Sequence, residues 1–200
     1  MLWLQLLCGL LLLNGVWNKP AAQKEDDDEE DCEINAPDTM HDFCCDLHDE
    51  LSQFVECQIE WHEKIHYTTD KEEQTYMFCT AECTFNGTEL LKPNRKSLNL
   101  KRVQAHLESE LADDADEALL YETYVKCDKH ATSLLSHKSV KSLSKRLDAY
   151  GCHPYPGLVM ECVSNDMILN CPPKRFHDTA QCRVARDYLR NCMTHVKYKP

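Results

Sequence analysis

Cys79-Thr80-Ala81-Glu82-Cys83 is the stretch from which the fold is read. Two cysteines four apart lie about one turn apart on the same face of an α-helix. If both are oxidised, each reaches a different neighbour, so one helix is stapled to two others. The flanks support a helix. Thr69-Asp70-Lys71-Glu72 has the form of a capping box, a threonine with a glutamate three residues on. Glu73, Gln74, Tyr76, Met77 and Phe78 follow without Gly or Pro, and Gly87 closes the run. A C-x3-C pair also suits a metal site in a reducing compartment, and the remaining cysteines decide between the two.

The chain holds thirteen cysteines in 200 residues. Residues 1–17 form an apolar core of signal-peptide length, and Asn18-Lys19-Pro20-Ala21-Ala22 follows. We read residues 1–22 as a secretory leader, although no basic residue precedes its apolar core. Cys8 leaves with it. The other twelve cysteines, in an oxidising compartment, point to six disulfides. No other stretch is long and apolar enough to cross a bilayer, so the mature chain is expected to be extracellular, with no membrane partner. Acidic residues number 34 against 22 basic ones, a formal net charge of −12. Nucleic-acid binding needs a basic surface and is excluded. Residues 23–31 carry the run from Glu25 to Asp31, a block that solvates itself and is expected to be disordered. Residues 32–200 are expected to form a single domain.

Only five glycines occur, and apolar residues recur at helical spacing. The stripes are Met40, Cys44, Leu47, Leu51 and Phe54; Leu100, Val103, Leu107 and Leu111; Leu120, Tyr124, Cys127 and Ala131; Val140, Leu143, Leu147 and Tyr150; and Cys182, Ala185, Leu189, Cys192 and Val196. Breaks are expected at Pro93-Asn94, at His153-Pro154-Tyr155-Pro156-Gly157 and at Pro172-Pro173. Asp178 is placed to cap the last helix. The expectation is an all-α, disulfide-stapled domain of about seven or eight helices. Asn86-Gly87-Thr88 is a glycosylation sequon just after the central helix.

Two short motifs suggest enzymes. Asp42-Phe43-Cys44-Cys45-Asp46-Leu47-His48-Asp49 resembles the active-site helix of secreted phospholipases A2. That family continues with a cysteine two residues on, where this chain has Leu51, and needs a glycine-rich calcium loop upstream. Cys32 to Met40 contains no glycine, so the backbone lacks the turn that wraps a cation. His62-Glu63-Lys64-Ile65-His66 matches H-E-x-x-H, which on a helix aims two imidazoles at one zinc. Its continuation, Tyr67-Thr68-Thr69-Asp70, is not that of a metzincin, and a third ligand such as Glu82 would be needed. A zinc peptidase or a phospholipase-like hydrolase is therefore the rival reading. The favoured one has no catalytic residue, no metal and no cofactor.

The cysteine spacing is more specific. Cys57 precedes the C-x3-C of Cys79 and Cys83, a long gap leads to Cys127, and a C-x8-C closes with Cys162 and Cys171. This resembles the six-cysteine frame of insect odorant-binding proteins. The extra cysteines are similar to the Plus-C subclass: Cys152 stands ahead of Cys162, Pro172 directly follows Cys171, and Cys182 and Cys192 lie beyond. The resemblance implies that Cys57 joins Cys83, Cys79 joins Cys162 and Cys127 joins Cys171. Each such bridge is worth about 3–4.5 kcal/mol in the chain-entropy model. Helices locked together in this way need not collapse into a solid core and can enclose an apolar cavity. The implied function is to carry small hydrophobic molecules such as odorants or pheromones through extracellular fluid to receptors. The implied partners are a small apolar molecule, an odorant receptor and a second copy of the chain. Candidate pocket residues are Phe78, Leu107, Leu111, Leu120, Tyr124, Met160, Met167 and Leu189.

Six cysteines lie outside that frame: Cys32, Cys44, Cys45, Cys152, Cys182 and Cys192. On a helix, adjacent Cys44 and Cys45 diverge by about 100°, and Cys182 and Cys192 stand about 15 Å apart along the axis, so neither pair is expected to bond internally. We expect these bridges to join the segment before Cys57 to the segment after Cys127, tying the acidic N-terminal part across the fold. The competing arrangement is a local loop from Cys32 to Cys44 or Cys45.

Overall fold

The structure, a computed structural model, describes residues 44–47, 51 and 53–193, with side chains through 191. The chain divides into Met1–Ala36 and Pro37–Pro200, and every described residue lies in the second unit. The leader, the acidic run, Cys32, His48, Asp49, Val196 and the side chain of Cys192 fall outside the described residues.

Among the described residues seven α-helices follow one another: α1 (Phe54–Lys64), α2 (Asp70–Gly87), α3 (Leu100–Glu110), α4 (Asp114–Leu134), α5 (Lys138–Leu147), α6 (Pro154–Asn170) and α7 (Ala180–Tyr188). A 3-10 turn, Asp148–Tyr150, follows α5, and a π-helical turn, Leu189–Met193, extends α7. Among the described residues, strand-like pairing is limited to two isolated bridges, Cys45 with Phe176 and Leu91 with Leu98. The fold class is all-α, as the sequence implies.

The caps follow from local chemistry. Thr69 Oγ1 accepts the Glu72 amide at 3.4 Å, and the Glu72 carboxylate accepts the Thr69 amide at 3.1 Å, which closes the capping box of α2. The Thr68 amide and the hydroxyls of Thr69 and Thr68 donate to that carboxylate and hold it below the usual carboxylate range. The last helix is capped differently from the expectation. Thr179 Oγ1 accepts the Cys182 amide at 3.1 Å, and Asp178 instead pairs with Arg183 at 2.8 Å.

Four stripes become buried faces, and two of the expected boundaries shift. Val103 and Leu107 on α3, Leu120, Tyr124, Cys127 and Ala131 on α4, Leu147 on α5, and Cys182, Ala185 and Leu189 near the C-terminal end are all essentially closed to solvent. Tyr150 leaves its stripe because α5 ends at Leu147, and it stands exposed. The stripe beginning at Met40 is not a continuous helix. The strand-like residues around Cys45 pair with the stretch after α6: the Asp46 amide donates to the Arg175 carbonyl at 2.7 Å, and the His177 amide to the Cys44 carbonyl at 3.0 Å. The expected break at residues 153–157 is instead the first turn of α6. Proline is tolerated there because first-turn amides have no intrahelical acceptor. His153 Nδ1 caps the turn by accepting the Tyr155 amide at 3.2 Å.

Helix α6 is the centre of the assembly and packs on α2, α4, α5 and α7. Gly157 fixes its approach to α2. A Cβ there would stand 2.4 Å from Cδ1 of Phe78, so the aromatic ring lies where a side chain would otherwise be. The main core gathers residues from all helices between α2 and α6 around this contact, with part of the N-terminal segment. A smaller cluster of Cys44, Ile168, Cys182 and Leu189 joins α6 to α7.

The disulfides distribute along α6 in a pattern shifted from the expectation. Cys57 pairs with Cys83, but Cys79 pairs with Cys152 rather than Cys162. Cys127 pairs with Cys162 rather than Cys171, and Cys171 takes Cys45. Cys44 pairs with Cys182. The reason is the register of α2 against α6. Phe78 meets Gly157 while Glu82 meets His153, so the two helices run antiparallel and Cys79 lies at the start of α6. Cys162 is about 15 Å farther along the axis and faces α4. The C-x3-C helix does staple two neighbours, the α1 side through Cys83 and the α6 entry through Cys79. Cys44 and Cys45 both tie the N-terminal segment to the far end of the chain, and neither forms the local loop with Cys32.

Candidate ligand-binding interior

Each end of α6 is pinned by a polar group that its neighbours satisfy. At its start, the buried Tyr155 hydroxyl donates to Asp128 of α4, whose carboxylate also accepts the Leu98 amide at 3.0 Å. Burial, followed by this bond to Asp128, pushes the phenol well above its ordinary range, so it stays a donor. Beside it, Glu82 is buried, forms an ion pair with Arg95 and accepts the His153 amide at 2.6 Å. Arg95 also donates to the Gly151 carbonyl at 2.8 Å and holds positive φ, 56°, in the tight loop before α3. Desolvation, helped by Lys96 and Arg95, lowers the His153 pKa and keeps its ring neutral, the form in which Nδ1 can cap α6. At the other end, buried Asp166 forms an ion pair with Lys126 and accepts from Asn170 at 3.0 Å and Thr123 at 3.4 Å.

The middle turn is different. Pro154 to Val159 and Asn165 to Ile168 are buried on every side of the helix, yet each residue from Met160 to Ser164 keeps accessible surface. Five consecutive helical residues point in every direction around the axis, since each adds about 100°. The accessible turn therefore lies inside a helix closed before and after it. Cys162 crosses this turn to α4, and Met160 and Val163 rest against the main core.

The sequence-derived pocket residues fall into three groups. Phe78, Leu107, Leu120, Tyr124 and Met167 are buried within the main core. Leu111 and Met160 pack against it while remaining partly accessible. Leu189 lies in the smaller cluster beside Cys182 and is not brought together with the others. Asn86 is exposed on the last turn of α2.

The H-E-x-x-H pentad does not lie on one helical face. Helix α1 ends at Lys64, and His66 beyond it donates from Nδ1 to the His62 carbonyl at 2.9 Å. The two imidazole centroids are 5.9 Å apart at the surface. Glu82 is engaged by Arg95 and His153 as described. Among the described residues no group of three or more His, Cys, Asp or Glu is placed to hold a metal ion.

A family description matches this arrangement over most of the chain. The model of the AgamOBP47-like family, an insect odorant-binding protein family, matches residues 48–188. The chain belongs to the insect odorant-binding proteins. Its many disulfides fit the Plus-C type. No match was found among curated proteins or among solved structures. Odorant-binding proteins are secreted and typically bind small hydrophobic ligands without catalysis. No helix among the described residues is long and apolar enough to cross a membrane.

Sequence reasoning overlooked one residue at the accessible turn, Glu161. It and Asp166 are the two acidic residues of α6, in a helix otherwise rich in Leu, Val, Met and Ile. Asp166 has partners. Glu161 forms no hydrogen bond or ion pair with any described residue, and burial raises its carboxyl above the usual range. A charged side chain in an apolar run was the signal available in the sequence.

Proposed function

We propose that the chain is a secreted carrier that takes small hydrophobic molecules, such as odorants or pheromones, into a pocket around the middle turn of α6 and releases them to receptors. The observation that carries this reading is the accessible turn Met160–Ser164 between the buried stretches 154–159 and 165–168 of α6 in an odorant-binding protein. Family membership supplies the ligand class, and the disulfides that fix α6 against α2 and α4 supply the rigidity an open interior needs. Met160 and Leu111, apolar and partly accessible, are the foremost wall candidates. Phe78, Leu107, Leu120, Tyr124 and Met167 form the packed layer behind them, and Leu189 stands apart with the C-terminal cluster. The apolar leader at residues 1–22 supports export, and exposed Asn86 is available for glycosylation. A receptor or a second copy of the chain would be the macromolecular partner.

The test is titration of the mature chain with an apolar fluorescent dye, followed by displacement with volatile alcohols, aldehydes and esters. One site per chain is expected, with a Kd of micromolar order, about −8 kcal/mol. Met160→Asp should weaken the dye ten-fold or more, by about 1.4 kcal/mol, because it places a charge on the apolar wall. Absence of saturable dye binding by the folded chain would overturn the carrier reading.

A further inference from the structure

The chain carries a formal net charge of −12, yet residues 129–147 hold Lys129, Lys138, Lys141, Lys145 and Arg146 and no Asp or Glu. The fold sorts these cations by helix face. On α5, Val140, Leu143 and Leu147 are buried in the main core. At about 100° per residue, Lys138, Lys141 and Lys145 fall within about 60° of one another on the opposite side of the axis. All three are exposed, and so are Ser139 and Ser142 on their flank. Arg146 is engaged instead, donating to Thr75 at 3.0 Å and to Gln74. Lys138 and Lys145 stand about 10 Å apart along the axis, so the three lysines form a line two turns long. The start of the helix sharpens the contrast. Helices α2 and α4 begin with three acids each, Asp70, Glu72 and Glu73, and Asp114, Asp116 and Glu117, which suit the positive end of the macrodipole. Helix α5 has no acid in its first turn and opens on Lys138. Among the described residues none of the three lysines meets a carboxylate, while Lys64, Arg102, Lys126 and Arg175 each have one. A local rule broken without a structural return points to a task for that face.

An exposed line of ammonium groups complements an anion, and the surroundings decide which kind. The core of a protein–protein interface favours aromatic residues and Arg and is poor in Lys and Ser, whereas this face presents only Lys and Ser. A bilayer is planar, so anionic headgroups that met the stripe would also meet the acid-rich surface around it. The face has no apolar side chain to enter a bilayer either, because those of α5 are turned into the core. A single extended chain bearing anionic groups at intervals can lie along the stripe and pass between the acids on either side. The family is secreted, and outside the cell the linear polyanions are sulfated glycans rather than nucleic acid. We propose that the outer face of α5 binds a linear sulfated glycan through Lys138, Lys141 and Lys145. This goes beyond the carrier reading and uses no residue of α6. It would concentrate the carrier at a glycan-coated surface while leaving its interior unchanged.

The experiment is retention of the mature, disulfide-intact chain on immobilised heparin at pH 8, where an unperturbed histidine is neutral, followed by elution in rising salt. A chain of net charge −12 passes through such a column unless a local site holds it. Retention at low salt is expected. In solution, the logarithm of the heparin Kd should rise with the logarithm of salt concentration with a slope of about 2–3, as three lysine contacts require. The triple variant Lys138→Gln, Lys141→Gln, Lys145→Gln should lose both the retention and the slope. Its helicity and apolar-dye binding should match the parent, because all three sites are exposed. A second triple variant, Lys92→Gln, Lys101→Gln, Lys174→Gln, removes the same charge at exposed sites outside α5 and should still be retained. Desulfated heparin, phosphatidylserine vesicles and polyglutamate should not hold the parent chain. No retention of the parent overturns the proposal, and so does retention that survives the α5 triple variant. Equal loss in both triple variants also overturns it, since net charge alone would then be at work. Vesicles or polyglutamate bound as tightly as heparin would overturn the choice of a sulfated glycan. Saturable dye binding without heparin retention leaves the carrier reading standing while this proposal falls, and retention without dye binding does the reverse.

Discussion

The ends of α6 and its middle turn are built on opposite plans. At the start, Cys152 is bonded to Cys79, Tyr155 to Asp128 and the His153 amide to Glu82, and Gly157 lies against the Phe78 ring. At the end, Asp166 has Lys126, Thr123 and Asn170, and Cys171 has Cys45. In the middle, a single covalent link to α4 passes through Cys162, and Glu161 has no partner among the described residues. The difference separates two tasks that a solid core would merge. The ends hold the helix in place, and the middle turn packs on the core through Met160, Cys162 and Val163 while keeping accessible surface. Cross-links do this more cheaply than side-chain packing because they act largely on the unfolded chain and need no filled volume.

The sharpest way to break that comparison is to cut one bridge of each kind. Removing Cys79–Cys152 as a double Cys→Ala variant opens a 73-residue loop and should cost about 4 kcal/mol in urea unfolding. Removing Cys127–Cys162 opens a 35-residue loop and should cost slightly less, also about 4 kcal/mol. The two should part in dye binding. Loss of the bridge at the closed end should leave affinity within a few-fold, whereas loss of the bridge at the middle turn should lower it ten-fold or more. Equal effects on binding would show that the middle turn has no privileged role.

A smaller effect tests the packed end alone. Gly157→Ala places a methyl 2.4 Å from Cδ1 of Phe78, and the buried ring has little room to retreat. Overpacking of this kind should cost about 1–3 kcal/mol. Phe78→Leu in the same chain should recover part of the loss, because the two changes meet at one contact and are not additive. An Ala variant as stable as the parent would mean that α2 and α6 can separate freely, and the closed end would then be no more rigid than the middle.

The sequence made the helices legible and left their assembly partly hidden. The capping box at Thr69 and the stripes on α3, α4 and α5 are local signals of period and end chemistry, and local signals survive folding. The segment around Cys44 misled because an apolar spacing of three to four residues is also compatible with a short extended piece held by two disulfides. Pro154 and Pro156 misled because proline ends a helix in its interior but opens one in its first turn, and the spacing alone does not say which turn it is. The pairings of Cys79 and Cys127 depend on how far α6 slides along α2 and α4. A frame of six cysteines carries no information on that register once Cys152 offers a competing partner. Glu161 was visible as a letter, but that no described residue offers it a cation is a property of the space around α6.

The two carboxylates of α6 give the smallest and most discriminating effect. Asp166→Asn removes the ion pair with Lys126, whose side chain is 62% exposed and can return to water. The loss should therefore be modest, about 0.5–1 kcal/mol, and smaller at high salt. Glu161→Gln should move stability in the opposite direction. The folded-state pKa of Glu161 is raised by burial, so the native chain holds that proton more tightly than the unfolded chain does. Stability is then highest below the unfolded carboxyl value of about 4.3 and declines as pH rises through the folded-state value. Glutamine cannot ionise and removes that decline. Urea unfolding at pH 4 should find variant and parent equally stable, and at pH 8 the variant should be the more stable of the two. Glu161→Gln would be the less stable chain at pH 8 if the carboxylate had a stabilising partner. In that case the middle turn would be built on the same plan as the ends.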